Sequence, residues 1–185
     1  INRCPWAIGP LDIEYHDNEW GRETHNDQML FEYLILEGMQ AGLSWSLILK
    51  KRENFKRAFD NFDYNICANY TDEYLESLRQ DASIIRNKLK IYSVRKNAVA
   101  FLKVQKEFGS FDKYIWGFTD YKKINNKLES YKDAASESDL SIKISKDMKK
   151  RGFSFVGSTI IYSYMQAIGM INDHEKGCFC YKECC

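Results

Sequence analysis

The sequence is poor in several residue types, and each scarcity narrows the possibilities. It has two prolines and three histidines in 185 residues, and no apolar run approaches the roughly 20 residues of a membrane-spanning helix. Its N-terminus shows no charged segment followed by an apolar one, the pattern of a secretory leader. We therefore expect a cytoplasmic protein without a membrane segment. The hydrophobic fraction of 44% is sufficient for a core, which excludes a disordered chain.

Net charge is also nearly absent, because 27 basic residues are balanced by 26 acidic ones. That balance argues against a protein that binds polyanions over its whole surface. The distribution is uneven, however, since residues 82–106 contain no acidic residue. The basic residues in this stretch are Arg86, Lys88, Lys90, Arg95, Lys96, Lys103 and Lys106. A local positive face suffices to hold a phosphate backbone, although a single charge run is more often a solvated helix face.

Alternating strand patterns are essentially absent, whereas apolar residues recur at helical spacing through most of the chain. Four helices are expected to begin at polar capping residues, namely Asn26 or Asp27, Ser44, Asp63 and Thr71. Further helices are expected over residues 87–107, 111–116, 138–150 and 156–168. The polar stretch 119–137 is expected to be a loop. These patterns predict one compact all-α domain over residues 1–185.

Residues near the two chain ends offer a zinc-binding set. Cys4 and His16 lie near the N-terminus, and the motif His174-x3-Cys178 lies near the C-terminus. Zinc prefers tetrahedral thiolate and imidazole ligands, and the x3 spacing lets one turn supply two of them. With four protein ligands there is no open position, so such a zinc would be structural and would tie residues 1–20 to residues 170–181.

Another interpretation of these residues stays open. His16 can be a hydrogen-bonded polar residue, and the C-terminal cysteines can be surface thiols. The additional residues Cys180, Cys184 and Cys185 leave the identity of the fourth ligand open.

Glu37 falls on the inward face of its predicted helix, together with Leu30, Leu34 and Ala41. A buried carboxylate is unfavourable unless it is paired or serves a purpose. No Lys or Arg lies between residues 33 and 41, so a distant partner or a ligand has to satisfy it. The alternative is a core carboxylate bonded to backbone amides or to a tyrosine.

The loop that follows places Leu43 at an exposed tip between two helices, directly before Ser44 and Trp45. An apolar wedge beside an aromatic ring is what insertion between base steps needs, although such a Leu can also be a hydrophobic staple for the next helix. Aromatic residues make up 15% of the chain. Those nearest to this loop and to the Cys and His residues are Trp6, Tyr15, Trp20 and Trp45. They could stack on a flipped base, or they could simply belong to the core.

Five motifs together resemble the 3-methyladenine DNA glycosylase I (Tag) family, over nearly the whole chain from Arg3 to about Tyr181. The motifs are Arg3-Cys4-x-Trp6, Tyr15-His16-Asp17-Asn18-Glu19-Trp20-Gly21, Leu36-Glu37-x-x-Gln40-Ala41-Gly42-Leu43-Ser44-Trp45, Lys150-Arg151-Gly152-Phe153-x-Phe155-Val156-Gly157 and Asn172-Asp173-His174-x3-Cys178. The resemblance implies an all-α fold of the helix-hairpin-helix glycosylase superfamily. It implies an enzyme that excises 3-methyladenine from alkylated double-stranded DNA by hydrolysing the N-glycosidic bond after base flipping, without lyase activity.

The resemblance also assigns roles to individual residues. It implies one structural Zn²⁺ on Cys4, His16, His174 and Cys178. It implies a base pocket with Glu37 as the catalytic residue and with Tyr15, Trp45, Trp6 and Ser163 as lining. It implies DNA contacts from Gly42 and Leu43, and from Arg86, Lys88 and Lys90 around a hairpin at residues 81–86.

On this basis we hypothesise that ionised Glu37 favours a cationic base, while Trp45 stacks on it and Tyr15 orients it. No Asp or Lys nucleophile is assigned. We expect a monomer that releases free 3-methyladenine. A non-catalytic, zinc-stabilised helical module that binds DNA or protein is the main alternative, and a glycosylase for another alkylated base is the second.

Overall fold

The computed structural model describes all 185 residues, and its regular secondary structure is almost wholly helical, as predicted. The helices are α1 (Pro10–Asn18), α2 (Asp27–Gln40), α3 (Trp45–Ala58), α4 (Tyr64–Cys67), α5 (Asp72–Leu78), α6 (Lys88–Phe108), α7 (Phe111–Gly117), α8 (Asp139–Lys150) and α9 (Ser158–Ala167). Two short strands, β1 (Ile124–Asn125) and β2 (Ile171–Asn172), pair in parallel. None of the helices combines the length and the apolar character that crossing a membrane requires.

Short polar side chains begin most of the helices, as the sequence predicts. Asn26 accepts a hydrogen bond from the backbone N–H of Met29, and Ser44 accepts one from that of Leu47. Asp63 and Thr71 cap α4 and α5 in the same way. Each such bond satisfies a backbone donor that has no partner inside the helix.

Helix α1 was not predicted. It begins at Pro10 after Gly9, which provides no side-chain cap, and its buried residues include the polar Asp12 and His16. Neither of the usual signals, a polar cap or an apolar stripe, is therefore present in its sequence. Proline at the first helical turn is well tolerated, because the N–H that it lacks has no partner there.

Helix α2 runs through the centre of the core and is buried without interruption from Leu30 to Met39. It packs against α3, α6, α7 and α9. Two carboxylates of α2 are consequently enclosed. Glu32 is satisfied by the guanidinium of Arg52, whose Nη2 lies 2.6 Å from Oε2, whereas Glu37 has no such cation. The fold therefore buries one paired and one unpaired carboxyl group on the same helix.

The predicted loop at residues 119–137 is partly structured. Ile124 aligns with Ile171 and Asn125 with Asn172 in the small parallel ladder, and residues Tyr131–Asp133 form a single 3₁₀ turn. Strands of two residues are too short to show an alternating pattern, so the sequence carries no signal for them. The ladder fastens this stretch against the C-terminal segment, next to the site described below.

Candidate functional site

A cavity of about 210 Å³ lies between α1, α2, α9 and the 3₁₀ turn at Tyr131. Its walls are formed by Trp6, Tyr15, Trp20, Glu37, Gln40, Trp45, Tyr131, Ser163 and Gln166. The structure thus brings together Glu37 and all the residues that the sequence analysis expects to line a pocket. Most of its lining comes from aromatic rings, so the cavity suits a flat ligand.

Three residues that line this cavity each bury a polar atom that has no hydrogen-bond partner. These atoms are the indole Nε1 of Trp6, the hydroxyl group of Tyr15 and the indole Nε1 of Trp45. A buried donor without a partner costs about 1–3 kcal/mol, so proteins seldom tolerate several of them in one place. Three around one cavity indicate a ligand that carries hydrogen-bond acceptors.

The aromatic rings also have definite relative positions. The rings of Tyr15 and Trp45 are 5.2 Å apart between centroids and tilted by 52°, while those of Trp6 and Trp20 are 5.0 Å apart and nearly perpendicular. Such edge contacts hold each ring in place. These contacts therefore fix the aromatic walls of the cavity.

Glu37 presents a carboxyl group to this cavity and makes no hydrogen bond or ion pair with another residue. It is 5% exposed. Burial raises its pKa from 4.5 to about 8, so the protein groups alone favour the protonated form at neutral pH. This differs from the ionised form assumed in the sequence analysis. A cation in the cavity would stabilise the carboxylate and restore its charge.

The connection between α2 and α3 projects an apolar side chain into solvent. Gly42 has a φ of 78°, a left-handed conformation that favours glycine, and the turn it allows leaves Leu43 36% exposed. Leu43 is not among the hydrophobic residues that pack on the core, which disfavours the hydrophobic-staple alternative. A second cavity of about 200 Å³ joins this loop to Glu37, so the loop lies at the entrance of the site.

The expectation that Lys90 contacts a phosphate group is wrong in this structure. Lys90 is buried, and its Nζ donates hydrogen bonds to the carbonyl oxygens of Met39, at 2.9 Å, and Ala41, at 2.6 Å. The sequence indicates that Lys90 is buried, because it shares the inward helical face of Val94 and Asn97. Arg86 and Lys88, by contrast, are exposed and remain candidates for phosphate contacts.

The segment between α5 and α6 is fixed against α3. The carboxylate of Asp81 accepts hydrogen bonds from the backbone N–H and the hydroxyl group of Ser83. The carbonyl oxygen of Ser83 in turn accepts one from Asn54 at 3.0 Å. Because α3 starts directly after the Leu43 loop, these bonds place residues 81–86 and the loop on one rigid support.

The four predicted metal ligands form a buried cluster. Sγ of Cys178 lies 3.5 Å from Nε2 of His16 and 3.5 Å from Nδ1 of His174, and Sγ of Cys4 lies 3.7 Å from the same Nδ1. Tetrahedral bonds of about 2.3 Å to sulfur and about 2.0 Å to nitrogen would separate these atoms by about 3.6 Å. The spacing of the donor atoms therefore fits a zinc ion.

The outer hydrogen bonds of both histidines agree with metal binding. Nδ1 of His16 lies 2.8 Å from a carboxylate oxygen of Asp17, and Nε2 of His174 lies 2.9 Å from the carbonyl oxygen of Trp20. Each bond leaves the opposite ring nitrogen facing the cluster with its lone pair, as in many zinc sites. These residues could hold a metal ion. Cys180 lies outside the set of four and groups instead with His16 and Asp17.

The cluster and the cavity share a wall. The ring of Trp20 is 4.6 Å from that of His174, and the ring of Trp6 is 5.3 Å from that of His16. Both tryptophans also line the cavity. Holding the two chain ends together therefore also holds one side of the cavity.

Several cavity residues were missed by the sequence analysis. Gln166 follows Ser163 by three residues on α9, so helical spacing places both on one face and could have identified it. Tyr131 and Gln40 complete the lining. Tyr131 comes from the polar stretch 119–137, whose sequence carries no sign of its position.

The fold and the site define the class of this protein. It is a helical protein whose aromatic cavity can enclose a flat polar ring. The cavity contains an unpaired carboxyl group and has an exposed apolar loop at its entrance. The chain belongs to the methyladenine glycosylase family, whose model matches residues 6–181. It is 43% identical over 182 residues to DNA-3-methyladenine glycosylase 1 of Escherichia coli (strain K12), which covers 98% of this chain and 97% of that protein.

Solved structures agree with this membership. A crystal structure of 3-methyladenine DNA glycosylase I (TAG) matches with a TM-score of 0.95 and 44% identity, covering 97% of this chain and 100% of that one. A variant of 3-methyladenine DNA glycosylase I in complex with 3-methyladenine matches with a TM-score of 0.94 and 31% identity, covering 97% of each chain.

Proposed function

We propose that this protein is a DNA repair enzyme that removes 3-methyladenine from alkylated double-stranded DNA by hydrolysing the N-glycosidic bond of a flipped nucleotide. Its family membership and the activity named for its relatives support this. The observation that carries the proposal is the set of three unpartnered donors around an unpaired Glu37 in one aromatic cavity. That set matches a ligand with polar edges and flat faces.

The size of the cavity supports a ligand no larger than a base. Its volume of about 210 Å³ is smaller than the pockets of about 300–1,000 Å³ that hold drug-sized molecules. A base has to leave the duplex to reach it, and unstacking is easiest for a damaged base. The Gly42-Leu43 loop at the entrance would fill the gap that the flipped base leaves in the stack.

The chemistry requires little from the enzyme, because methylation at N3 makes adenine cationic and a good leaving group. The cationic base lowers the pKa of Glu37, which then accepts hydrogen bonds from the base edge as a carboxylate. Trp45 stacks on the base and the hydroxyl group of Tyr15 fixes its orientation. Water forms a bond to the sugar carbon and releases a proton to solvent, while the base departs as a neutral molecule with the electrons of the N-glycosidic bond. We assign no Asp or Lys nucleophile, so the reaction ends at base release without a lyase step.

The DNA is held by its backbone and not by its sequence. Residues 81–86 between α5 and α6 form the hairpin of a helix-hairpin-helix unit, with Arg86 and Lys88 as phosphate contacts. Lys90 is not one of these phosphate contacts, since its ammonium group donates hydrogen bonds to two carbonyl oxygens. The enzyme acts as a monomer on this duplex substrate.

One structural zinc ion is bound by Cys4, His16, His174 and Cys178. Four protein ligands leave no position for water, so the ion supplies no nucleophile. Its contribution is to fasten residues 1–20 to residues 170–181 and to keep Trp6 and Trp20 in the cavity wall. The donor spacing and the outer hydrogen bonds of His16 and His174 support this assignment.

The test is to incubate the purified chain with methylated DNA, identify the released base by chromatography and determine the metal content of the same sample. Release of 3-methyladenine from a protein with one zinc ion per chain is expected. Binding of DNA without release of any base would contradict the proposal and support the non-catalytic module. Release of a different methylated base would support the second alternative.

A further inference from the structure

Asp173 is almost completely buried, with 1% of its surface exposed, and its carboxylate collects three hydrogen bonds. Oδ1 accepts from the amide of Asn126 at 2.7 Å. Oδ2 accepts from the hydroxyl group of Tyr162 and from Nε2 of Gln166, both at 2.8 Å. A carboxylate accepts and does not donate, so its three neighbours all have to present donors.

This arrangement fixes the orientation of the Gln166 side chain. A half-turn of its amide group would bring Oε1 against the Asp173 carboxylate, where two acceptors repel each other. The nitrogen is therefore held at Asp173. The oxygen Oε1 accepts no hydrogen bond from the protein, and Gln166 lines the cavity beside Ser163 and Tyr131. The wall formed by α9 thus offers a fixed hydrogen-bond acceptor.

The unpartnered polar groups elsewhere in the cavity lining are mainly hydrogen-bond donors. The unpartnered groups of Trp6 and Trp45 are N–H donors and cannot accept, and the hydroxyl group of Tyr15 can donate. A ligand that satisfies both Gln166 and these donors carries an N–H donor as well as hydrogen-bond acceptors. An adenine ring, with ring nitrogens and an exocyclic amino group, has both.

We propose that Gln166 is a specificity-determining residue, whose Oε1 accepts a hydrogen bond from the exocyclic amino group of the bound base while Asp173 holds its amide in that orientation. This inference rests on the proposed function and names the residue that would select its 6-aminopurine substrate over a 6-oxopurine. A 6-oxopurine places an acceptor where the amino group would be. Both oxygens would then lack a donor, and Gln166 cannot turn to supply one. Sites built to bond a substrate N–H discriminate strongly against analogues that lack it.

The test uses two free bases of nearly equal shape, 3-methyladenine and 3-methylhypoxanthine, which carries oxygen in place of the amino group. Isothermal titration calorimetry on the full chain measures the affinity for each. We expect the wild-type protein to bind the amino base at least about tenfold more tightly. In Gln166→Met, which keeps the length of the side chain without its amide, the ratio should fall at least about threefold, mainly through weaker binding of the amino base. It should not fall to one, because Glu37 keeps its own hydrogen bond to the base edge.

Tyr162→Phe is the matched control, because it removes another hydrogen bond to Asp173 and leaves the bond to Gln166 in place. Its ratio should stay within about twofold of that of the wild-type protein. A folded Gln166→Met protein with an unchanged ratio would overturn the inference, as would equal affinities in the wild-type protein, a result that depends on no variant. A wild-type protein that binds neither base would overturn the proposed function as well.

Discussion

The ammonium nitrogen of Lys90 lies 2.6 Å from the carbonyl oxygen of Ala41. It also binds the carbonyl oxygen of Met39, so a cation from α6 satisfies carbonyl groups at the C-terminal end of α2, where a positive charge is favourable. Glu37 lies in the last turn of α2, and Gly42 follows Ala41 directly. One buried side chain therefore links α6 to the helical turn that carries Glu37 and to the loop at the entrance.

Replacing Lys90 by Met should loosen this loop without removing a phosphate contact. The two carbonyl oxygens lose their donor, at about 1–3 kcal/mol each if they remain buried, and we expect base release to slow by about tenfold. The logarithm of the DNA affinity should keep the same slope against the logarithm of the salt concentration. In the matched variant Lys88→Met, the magnitude of that slope should fall by about 0.9. Equal losses of slope in both variants would show that Lys90 does contact phosphate.

The buried carboxyl group of Glu37 should make stability depend on pH. Its pKa is raised from 4.5 to about 8 by burial, so between these values the folded state binds more protons than the unfolded state. The free energy of unfolding should therefore decline as pH rises through this window, by up to about 1.4 kcal/mol per unit.

Glu37→Gln removes this contribution. The stability of the variant relative to the wild-type protein should then increase from pH 5 to pH 8, since the other titrating groups are common to both proteins. Urea unfolding at several pH values measures the difference. A constant difference over this range would mean that Glu37 is not desolvated.

Loss of the metal cluster should destabilise the fold. We expect Cys178→Ser to lose its zinc and to lower the Tm by more than about 5 °C, since about 2 kcal/mol corresponds to roughly 4–8 °C in a chain of this size. Cys185→Ser is the matched control, because Cys185 is exposed and lies outside the cluster. Metal analysis gives the zinc content of both variants, and thermal melting gives their Tm. Full zinc content and an unchanged Tm in Cys178→Ser would contradict the assignment.

Shortening the side chain of Leu43 should impair flipping and leave the cavity intact. For Leu43→Ala we expect release from duplex DNA to be about tenfold slower, because the gap in the stack is filled less well. The affinity for free 3-methyladenine, measured by calorimetry, should not change, since Leu43 does not line the aromatic cavity of about 210 Å³. Weaker binding of the free base would place Leu43 in base recognition instead.

Much of the helical framework was predictable, because its signals are local. Helix caps such as Ser44 and Thr71 can be recognised in the sequence as polar residues before an apolar stripe. Both begin helices in the structure. Helix α1 and the ladder formed by residues 124–125 and 171–172 were not predictable in this way. They depend on contacts between segments that are far apart in the sequence.

The candidate site was partly predictable for a similar reason. Glu37 was identified by its conflict with an apolar helical face, which is a local signal. Lys90 shows the same kind of conflict, but its solution, two carbonyl groups at the end of another helix, could not be read from its own segment. The orientation of Gln166 depends on Asp173, and the position of Tyr131 depends on the fold of a polar stretch.

The proposed mechanism depends on Glu37, the unpaired carboxyl group of the aromatic cavity, acting on the damaged base. The measurement is single-turnover release of 3-methyladenine from methylated duplex DNA by Glu37→Gln, with folding verified by circular dichroism. We expect a rate about 10- to 100-fold below that of the wild-type protein, since a neutral amide stabilises the cationic base less well than a carboxylate. A folded Glu37→Gln protein that releases the base at the wild-type rate would contradict it.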